Sequence, residues 1–250
     1  MSLFFYRDFL NEQKAMTTIL ALDASTDACS VALSRHGDVT SIFELAAKSH
    51  TQRLLPMVDE ILRSANCGLQ DLDAIAFGRG PGSFTGLRIC MGVVQGLAFG
   101  ANLPVIPVST LQAMAQAYVT ENPQTPLPVM VALDARMDEI YWGLYSADKN
   151  PSLLSDEYVM KPADVCENDA VKGLNKQFIA IGPGWHYAEL QAVAPDIIIQ
   201  DTHPNAQFML PIALDAFNKG ETQSVFDAQP VYLRDSVSWQ KRQRIRTQSV

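Results

Sequence analysis

The 250-residue chain has few cysteines, few histidines and no excess of basic residues, and each shortage excludes a class of protein. Its four cysteines form no CxxC pair, and its four histidines have no partner three or four residues away, which argues against a zinc site or a disulfide framework. The net charge of −8 argues against binding nucleic acid unaided, because that requires a basic face. Scattered single cysteines are typical of the reducing cytoplasm, where we expect this protein.

Long uninterrupted apolar runs are also absent, so no membrane span is predicted. The longest run, ICMGVVQGLAFGANLPVI, contains Gln95 and Asn102. The opening MSLFFYRDFL lacks the basic start of a signal peptide. We expect residues 1–15 to be an extension, either disordered or helical, ahead of a natural start at Met16.

What the chain does have is an internal repeat. ALDASTDACSVAL (21–33) and ALDARMDEIYWGL (132–144) align without gaps, each as a strand, a polar turn and a returning strand. A glycine joint follows in both halves, AIAFGRGPGSF and then FIAIGPGWHY. These matches predict two duplicated α/β lobes, as in the actin-like ATPase fold. We expect an N-terminal lobe at 16–108, a C-terminal lobe at 109–232 and a basic tail at 233–250.

Local patterns place the elements of the first lobe. Apolar alternation predicts a hairpin that turns at 36–38, and helical spacing predicts a helix over 50–65. A second helix is predicted over 83–100, with Ser83 or Thr85 as its cap.

The glycine-rich loop at 78–88, GRGPGSFTGLR, fails the spacing tests for familiar catalytic and phosphate loops. It has no Gly-Lys pair, no third glycine for a dinucleotide fingerprint, and no glycines two residues either side of Ser83 for a hydrolase elbow. Two interpretations remain. Amides at the helix start could bind an anion, or Gly80 and Gly82 could form a joint between strand and helix. We favour the joint.

Aspartates in the two hairpin turns are the remaining candidates for a cofactor site. Asp23 and Asp134 hold equivalent positions in the repeat and could line a cleft between the lobes. Alternatively, each simply closes its own turn. Together with Gly80 and Gly82 they are the weak candidates for nucleotide contact. We predict no catalytic residue, no metal ligand and no required cofactor.

Three glycines in the second helix suggest a contact surface. Gly92, Gly96 and Gly100 recur every four residues and so share one helix face. Each costs about 1 kcal/mol relative to alanine inside a helix, which favours a function in close packing. Sequence alone leaves internal packing and contact with another molecule equally open.

The basic segment KRQRIR (241–246) also has two interpretations. It is either a solvated, disordered end or an arm that reaches acidic protein or RNA.

Six motifs in this order resemble the TsaB family, also called YeaZ: ILALDASTDACSVAL, FGRGPGSFTGLRICMGVVQGLAFG, PVIPVSTLQAMA, ALDARMDEIYWGLY, AIGPGW and PVYLRDSV. They cover residues 17–237. The resemblance implies a non-catalytic paralogue of TsaD, the enzyme that transfers threonylcarbamoyl to an adenosine beside the anticodon of tRNA. TsaD-like proteins bind their metal with two histidines, whose positions match Thr110 and Met114 here, with Gln112 at a glutamate position. Threonine and methionine cannot replace those ligands.

The resemblance also implies partners. These are TsaD, the ATPase TsaE, and a second copy of the chain when it is alone, with tRNA contacted only through the complex. The family's interface helices match 49–64 and 85–101, and the expected interface residues are Leu54, Met57, Val58, Ile61, Arg88, Gly92, Gly96 and Gly100. The alternative function is an actin-like ATPase or a glycoprotease-like hydrolase that uses Asp23, Asp134 and the glycine loops.

Overall fold

The structure is a computed structural model that describes residues 17–45, 49–174 and 176–234. The expected extension at 1–15 and the KRQRIR segment lie outside the described residues, as does most of the expected tail.

The first sheet has five strands in the order β3-β2-β1-β4-β5. They are β1 (Ile19–Asp23), β2 (Ala28–Arg35), β3 (Asp38–Leu45), β4 (Ala74–Gly80) and β5 (Val105–Ser109). The first three form an antiparallel meander, and β4 and β5 run parallel to β1. The predicted hairpin turn is confirmed, with His36 and Gly37 both at positive φ.

The second sheet repeats this topology. Its strands are β6 (Val129–Arg136), β7 (Glu139–Tyr145), β8 (Tyr158–Met160), β9 (Ile179–Ile181) and β10 (Ile197–Ile199). The order is β8-β7-β6-β9-β10, again a meander followed by two parallel strands. The predicted duplication is therefore confirmed, because strand order and direction agree across all five positions.

Six α-helices occur within the described ranges. They are α1 (His50–Ser64), α2 (Phe84–Ala101), α3 (Thr110–Glu121), α4 (Pro162–Val165), α5 (Asp169–Lys172) and α6 (Met209–Asn218). Ser83 is confirmed as the cap of α2, since its hydroxyl accepts a hydrogen bond from the amide of Gly86 at 3.3 Å. In the second lobe, the glycine joint leads into a short 3₁₀ helix, Pro183–His186, rather than an α-helix.

Each sheet is covered on both faces. The helix that follows the strands of one sheet covers the other sheet: α3 follows β5 and packs on the second sheet, and α6 follows β10 and packs on the first. On the first sheet, α1 and α2 pack against one face, and α6 packs against the other. On the second sheet, α3 packs against the face opposite Trp142 and Trp185. Residues 206–228 contribute Ala206, Met209, Val225 and Ala228 to the cores of the first sheet. The expected C-terminal lobe at 109–232 is therefore wrong at its end, because this segment completes the N-terminal lobe.

Within the described part of the chain, α2 is the one helix long and apolar enough to cross a membrane by length and composition. Core helices of folded domains satisfy the same criterion. One side of α2, including Leu87, Cys90 and Val94, is buried in the first lobe.

Candidate functional site

The GRGPGSFTGLR loop is packed around the turn between β1 and β2. A Cβ atom on Gly82 would overlap the carbonyl oxygen of Ser25, and one on Gly86 would overlap that of Ala24. The amide of Ser83 donates to the carbonyl oxygen of Ser25 at 2.6 Å. Because the chain's own backbone already occupies this side of the loop, the geometry favours the joint over the anion cradle.

Gly80 lies where the C-terminal segment crosses the same loop. Its φ is +100°, and its equivalent in the second lobe, Gly182, has a φ of +106°. These torsions favour glycine at both joints. The carbonyl oxygen of Val231 lies 2.9 Å from where a Cβ of Gly80 would stand, and the amide of Val231 donates to the carbonyl oxygen of Arg79 at 2.7 Å.

Asp23 is buried at the end of β1, contrary to the expectation that it lines a cleft. Only 1% of the residue is exposed. Its Oδ1 accepts hydrogen bonds from the amide and hydroxyl of Ser25 at 3.1 and 2.9 Å. Its Oδ2 has no hydrogen-bond partner among the described residues and fits only because residue 78 is glycine, whose Cβ would overlap it. Burial raises the pKa of Asp23 from 3.8 to about 6, opposed by the hydrogen bonds from Ser25 and the charge of His50.

Asp134 closes the equivalent turn of the second lobe in the same manner. Its Oδ1 accepts from the amide of Arg136 at 2.8 Å, two residues ahead, just as Asp23 accepts from Ser25. Its Oδ2 lies 3.2 Å from the Arg136 guanidinium, which also approaches Asp27 of the first lobe at 4.0 Å. Both aspartates thus make turn-closing hydrogen bonds, which is the simpler of the two interpretations.

The positions that carry metal ligands in TsaD-like proteins lie at the start of α3. Thr110 and Met114 are each 1% exposed, and the Gln112 side chain donates to the carbonyl oxygen of Pro151 at 2.8 Å. The described residues contain no group of three or more histidine, cysteine or acidic side chains that could hold a metal ion.

The glycine stripe lies on the exposed face of α2. Gly92, Gly96 and Gly100 are exposed, and no atom of the described residues lies within 4 Å of the position of an added Cβ at any of them. Phe99, beside the stripe, is 67% exposed and meets Phe226 edge-on at 5.8 Å. Among the described residues, the glycines therefore make no close internal packing contact.

The apolar ridge of α1 does not join this surface, so that part of the expected interface is wrong. The ridge residues are 0 to 2% exposed and belong to the core of the first lobe: Leu54, Met57, Val58 and Ile61. The reason is that a one-sided apolar stripe on a helix turns toward its own sheet. The exposed apolar residues of α1 are instead Leu55, at 51%, and Pro56.

At the N-terminal end of α2, Arg88 is held between two aromatic side chains. Its guanidinium carbon lies 3.7 Å from the centre of the Phe84 ring, and its Nε donates to the Tyr232 hydroxyl at 3.2 Å. The two rings are themselves 5.4 Å apart. Sequence reasoning missed both aromatic residues, although Phe84 stands four residues before Arg88 on the same helix.

A buried polar cluster joins the two lobes around Glu157. Its carboxylate accepts hydrogen bonds from Arg79 at 3.0 Å, from Tyr145 at 2.7 Å, and from the hydroxyl of Ser109. Burial, followed by the charge of Glu157, raises the pKa of Tyr145 well above its ordinary value. These residues are far apart in sequence and share no spacing, so no local pattern predicts the cluster.

Two α/β lobes of identical strand order, each with helices on both faces of its sheet, define a protein of the actin-like ATPase fold. The family model "TsaD: tRNA N6-adenosine threonylcarbamoyltransferase" matches residues 42–207.

Relatives of known sequence and structure place the chain within this class. It is 45% identical over 228 residues to the tRNA threonylcarbamoyladenosine biosynthesis protein TsaB of Escherichia coli K12, covering 89% of this chain and 97% of that protein. The Haemophilus influenzae TsaB is 44% identical over 237 residues, covering 90% and 96%. A Pseudomonas aeruginosa crystal structure, described as similar to peptidase YeaZ, matches with a TM-score of 0.81 at 44% identity over 88% of this chain and all of that one. The chain belongs to the TsaB (YeaZ) family.

Proposed function

We propose that the chain is a non-catalytic subunit of tRNA threonylcarbamoyladenosine biosynthesis. It acts as a scaffold and activator that binds the catalytic TsaD and the ATPase TsaE, and it contacts tRNA only through that complex. It forms a homodimer in isolation, works in the cytoplasm without membrane contact, and needs no cofactor or metal of its own.

The observation that carries this proposal is the exposed glycine stripe of α2. Three glycines on one helix face are costly for the helix, at about 1 kcal/mol each, and no contact within the described part of the chain offsets that cost. A flat face without side chains lets another backbone approach closely. Exposed aromatic side chains at both ends supply the residue types that dominate protein interfaces.

The first test is reconstitution. Purified TsaD and TsaE, supplied with tRNA and a threonylcarbamoyl donor, should modify the tRNA only when this chain is added. The chain should be inactive without TsaD. Transfer by this chain alone would overturn the proposal, as would full activity of the other two proteins without it.

A second test addresses the surface itself. Gly96→Leu places a bulky side chain on the stripe and should weaken both self-association and TsaD binding, because it holds the partner backbone away. The matched control is Gly173→Leu in the second lobe, where the residue is exposed and the nearest atom to an added Cβ is 3.6 Å away. Unchanged dimerisation of Gly96→Leu in light scattering would remove α2 from the interface.

The alternative, an actin-like ATPase or a glycoprotease-like hydrolase, requires carboxylates that reach a ligand. Asp23 is buried and Asp134 is engaged by Arg136, so neither is oriented for that use. Calorimetric titration with ATP and magnesium separates the two functions. Tight binding or turnover would support the enzyme, and no heat of binding would support the scaffold.

A further inference from the structure

Arg88 extends the glycine stripe by one more step. Phe84, Arg88, Gly92, Gly96 and Gly100 follow one another at intervals of four residues along α2, so they form one ridge that turns about 40° round the helix at each step. Arg88 therefore lies beside Gly92 on this ridge, and a molecule that docks on Gly92 and Gly96 comes within reach of the aromatic–arginine cluster at the N-terminal end of the helix.

Among the described arginines of this acidic protein, Arg88 is the one that meets neither a carboxylate nor a backbone carbonyl oxygen. Within the described residues, five arginines pair with carboxylates: Arg53, Arg63, Arg79, Arg136 and Arg234. Arg35 donates to two backbone carbonyl oxygens. The described residues place no carboxylate and no carbonyl oxygen against Arg88, whose contacts are the Phe84 ring and the Tyr232 hydroxyl.

The cluster holds this guanidinium in place. The segment that carries Tyr232 is anchored on both sides, by the Val231 amide on the carbonyl oxygen of Arg79 and by Arg234 on Glu139 of the second lobe. Stacking on one ring and a hydrogen bond to the other fix the plane of the guanidinium and use its Nε. Its two terminal nitrogens have no acceptor in the described part of the chain, and they can present the paired donors that match a carboxylate.

Docking would remove water from Arg88, and a desolvated charge without a counter-ion opposes binding. The docking molecule should therefore supply an acceptor, and a carboxylate both matches the paired donors and balances the charge. The helix itself, FTGLRICMGVVQGLAFGA, contains no acidic residue, so a second copy that meets it α2 to α2 cannot supply that anion from the same helix.

From these contacts we propose that Arg88 is a specificity residue that binds a carboxylate side chain of a different protein docked on the α2 stripe. This inference rests on the proposed function, in which that protein is TsaD. The stacked arginine favours the heterologous complex over a homodimer that meets α2 to α2, because α2 of a second copy offers no carboxylate.

The test compares binding of TsaD with self-association for the same variants. Arg88→Gln should weaken TsaD binding about tenfold or more and leave the homodimer within about twofold. Arg88→Lys should recover only part of the affinity, because an ammonium lacks the planar fork. Tyr232→Phe removes the hydroxyl that orients Nε, so its affinity for TsaD should lie between those of wild type and Arg88→Gln. The control is Lys172→Gln, an exposed cation of the second lobe already paired with Glu167, which should bind TsaD like wild type.

The outcomes separate this inference from the proposed function. If wild type binds TsaD and Arg88→Gln binds equally well, the carboxylate contact is wrong while the scaffold function stands. If Arg88→Gln weakens the homodimer as much as it weakens TsaD binding, the carboxylate contact is also wrong. If Arg88→Gln lowers affinity for tRNA and not for TsaD, the anion is a phosphate and the proposal fails. If wild type does not bind TsaD at all, the proposed function fails and this inference fails with it.

Discussion

Replacing Asp23 with asparagine should change how the stability of the protein depends on pH. The carboxyl group is buried, and burial raises its pKa from 3.8 to about 6. A raised pKa in the folded state means that the folded protein holds this proton more tightly than the unfolded chain does. The resulting stabilisation is fully present below pH 4 and is lost as the pH rises through 6.

The expected size follows from that shift. About two pH units correspond to about 3 kcal/mol of unfolding free energy, lost between roughly pH 4 and pH 7. Asparagine cannot ionise, so the variant lacks this loss. It also places an amide NH₂ where Oδ2 has no partner among the described residues, which costs about 1–3 kcal/mol at every pH. The informative quantity is therefore the difference in unfolding free energy between wild type and variant, followed as a function of pH.

Urea unfolding at a series of pH values measures this difference, because all other titrating groups are common to both proteins. Between pH 4.5 and pH 7.5, wild type should lose most of about 3 kcal/mol relative to Asp23→Asn. Ser25→Ala is the matched variant. It removes a hydrogen bond that favours the carboxylate, so the pKa of Asp23 should rise further and the loss should extend to higher pH. Parallel stability curves for wild type and Asp23→Asn would refute the reasoning.

Three further predictions concern packing, the lobe contact and the thiols. Gly86→Ala should lower the free energy of unfolding by about 3 kcal/mol, because its Cβ would overlap a backbone carbonyl. Gly92→Ala in the same helix should raise it by about 1 kcal/mol. Equal unfolding midpoints for the two variants would contradict this. Glu157→Gln should cost about 2 kcal/mol in urea unfolding, because it removes the charge that holds Arg79 at the lobe contact, and no loss would show that the cluster is dispensable. Cys166 should react with a thiol reagent first in the native protein, because the other three thiols are buried; four equal rates would contradict the fold.

Much of the fold follows from local pattern. The repeated strand–turn–strand around Asp23 and Asp134 indicated two lobes, and a repeated topology confirms them. The start of a helix was predictable where a capping residue precedes apolar residues at helical spacing, as at Ser83. The exchange of α6 onto the first sheet was not, because an apolar helix does not indicate which sheet it covers.

The candidate surface was predictable only in part. Four-residue spacing indicated that the glycines share a face, and the structure leaves that face exposed. The same reasoning placed the α1 ridge beside it, and that was wrong, since burial depends on where the sheet lies. The contact between Arg88 and Tyr232 joins residues 144 positions apart, which periodicity does not detect.

The crossing of α3 and α6 means that neither repeat unit covers its own sheet completely. Each half ends in a helix that covers the sheet of the other half. A single repeat unit on its own would leave one sheet face, with residues such as Ile19 and Ala21, open to water. Two such units, exchanging their last helices, would cover both faces at once. The two halves therefore depend on each other to cover their sheets.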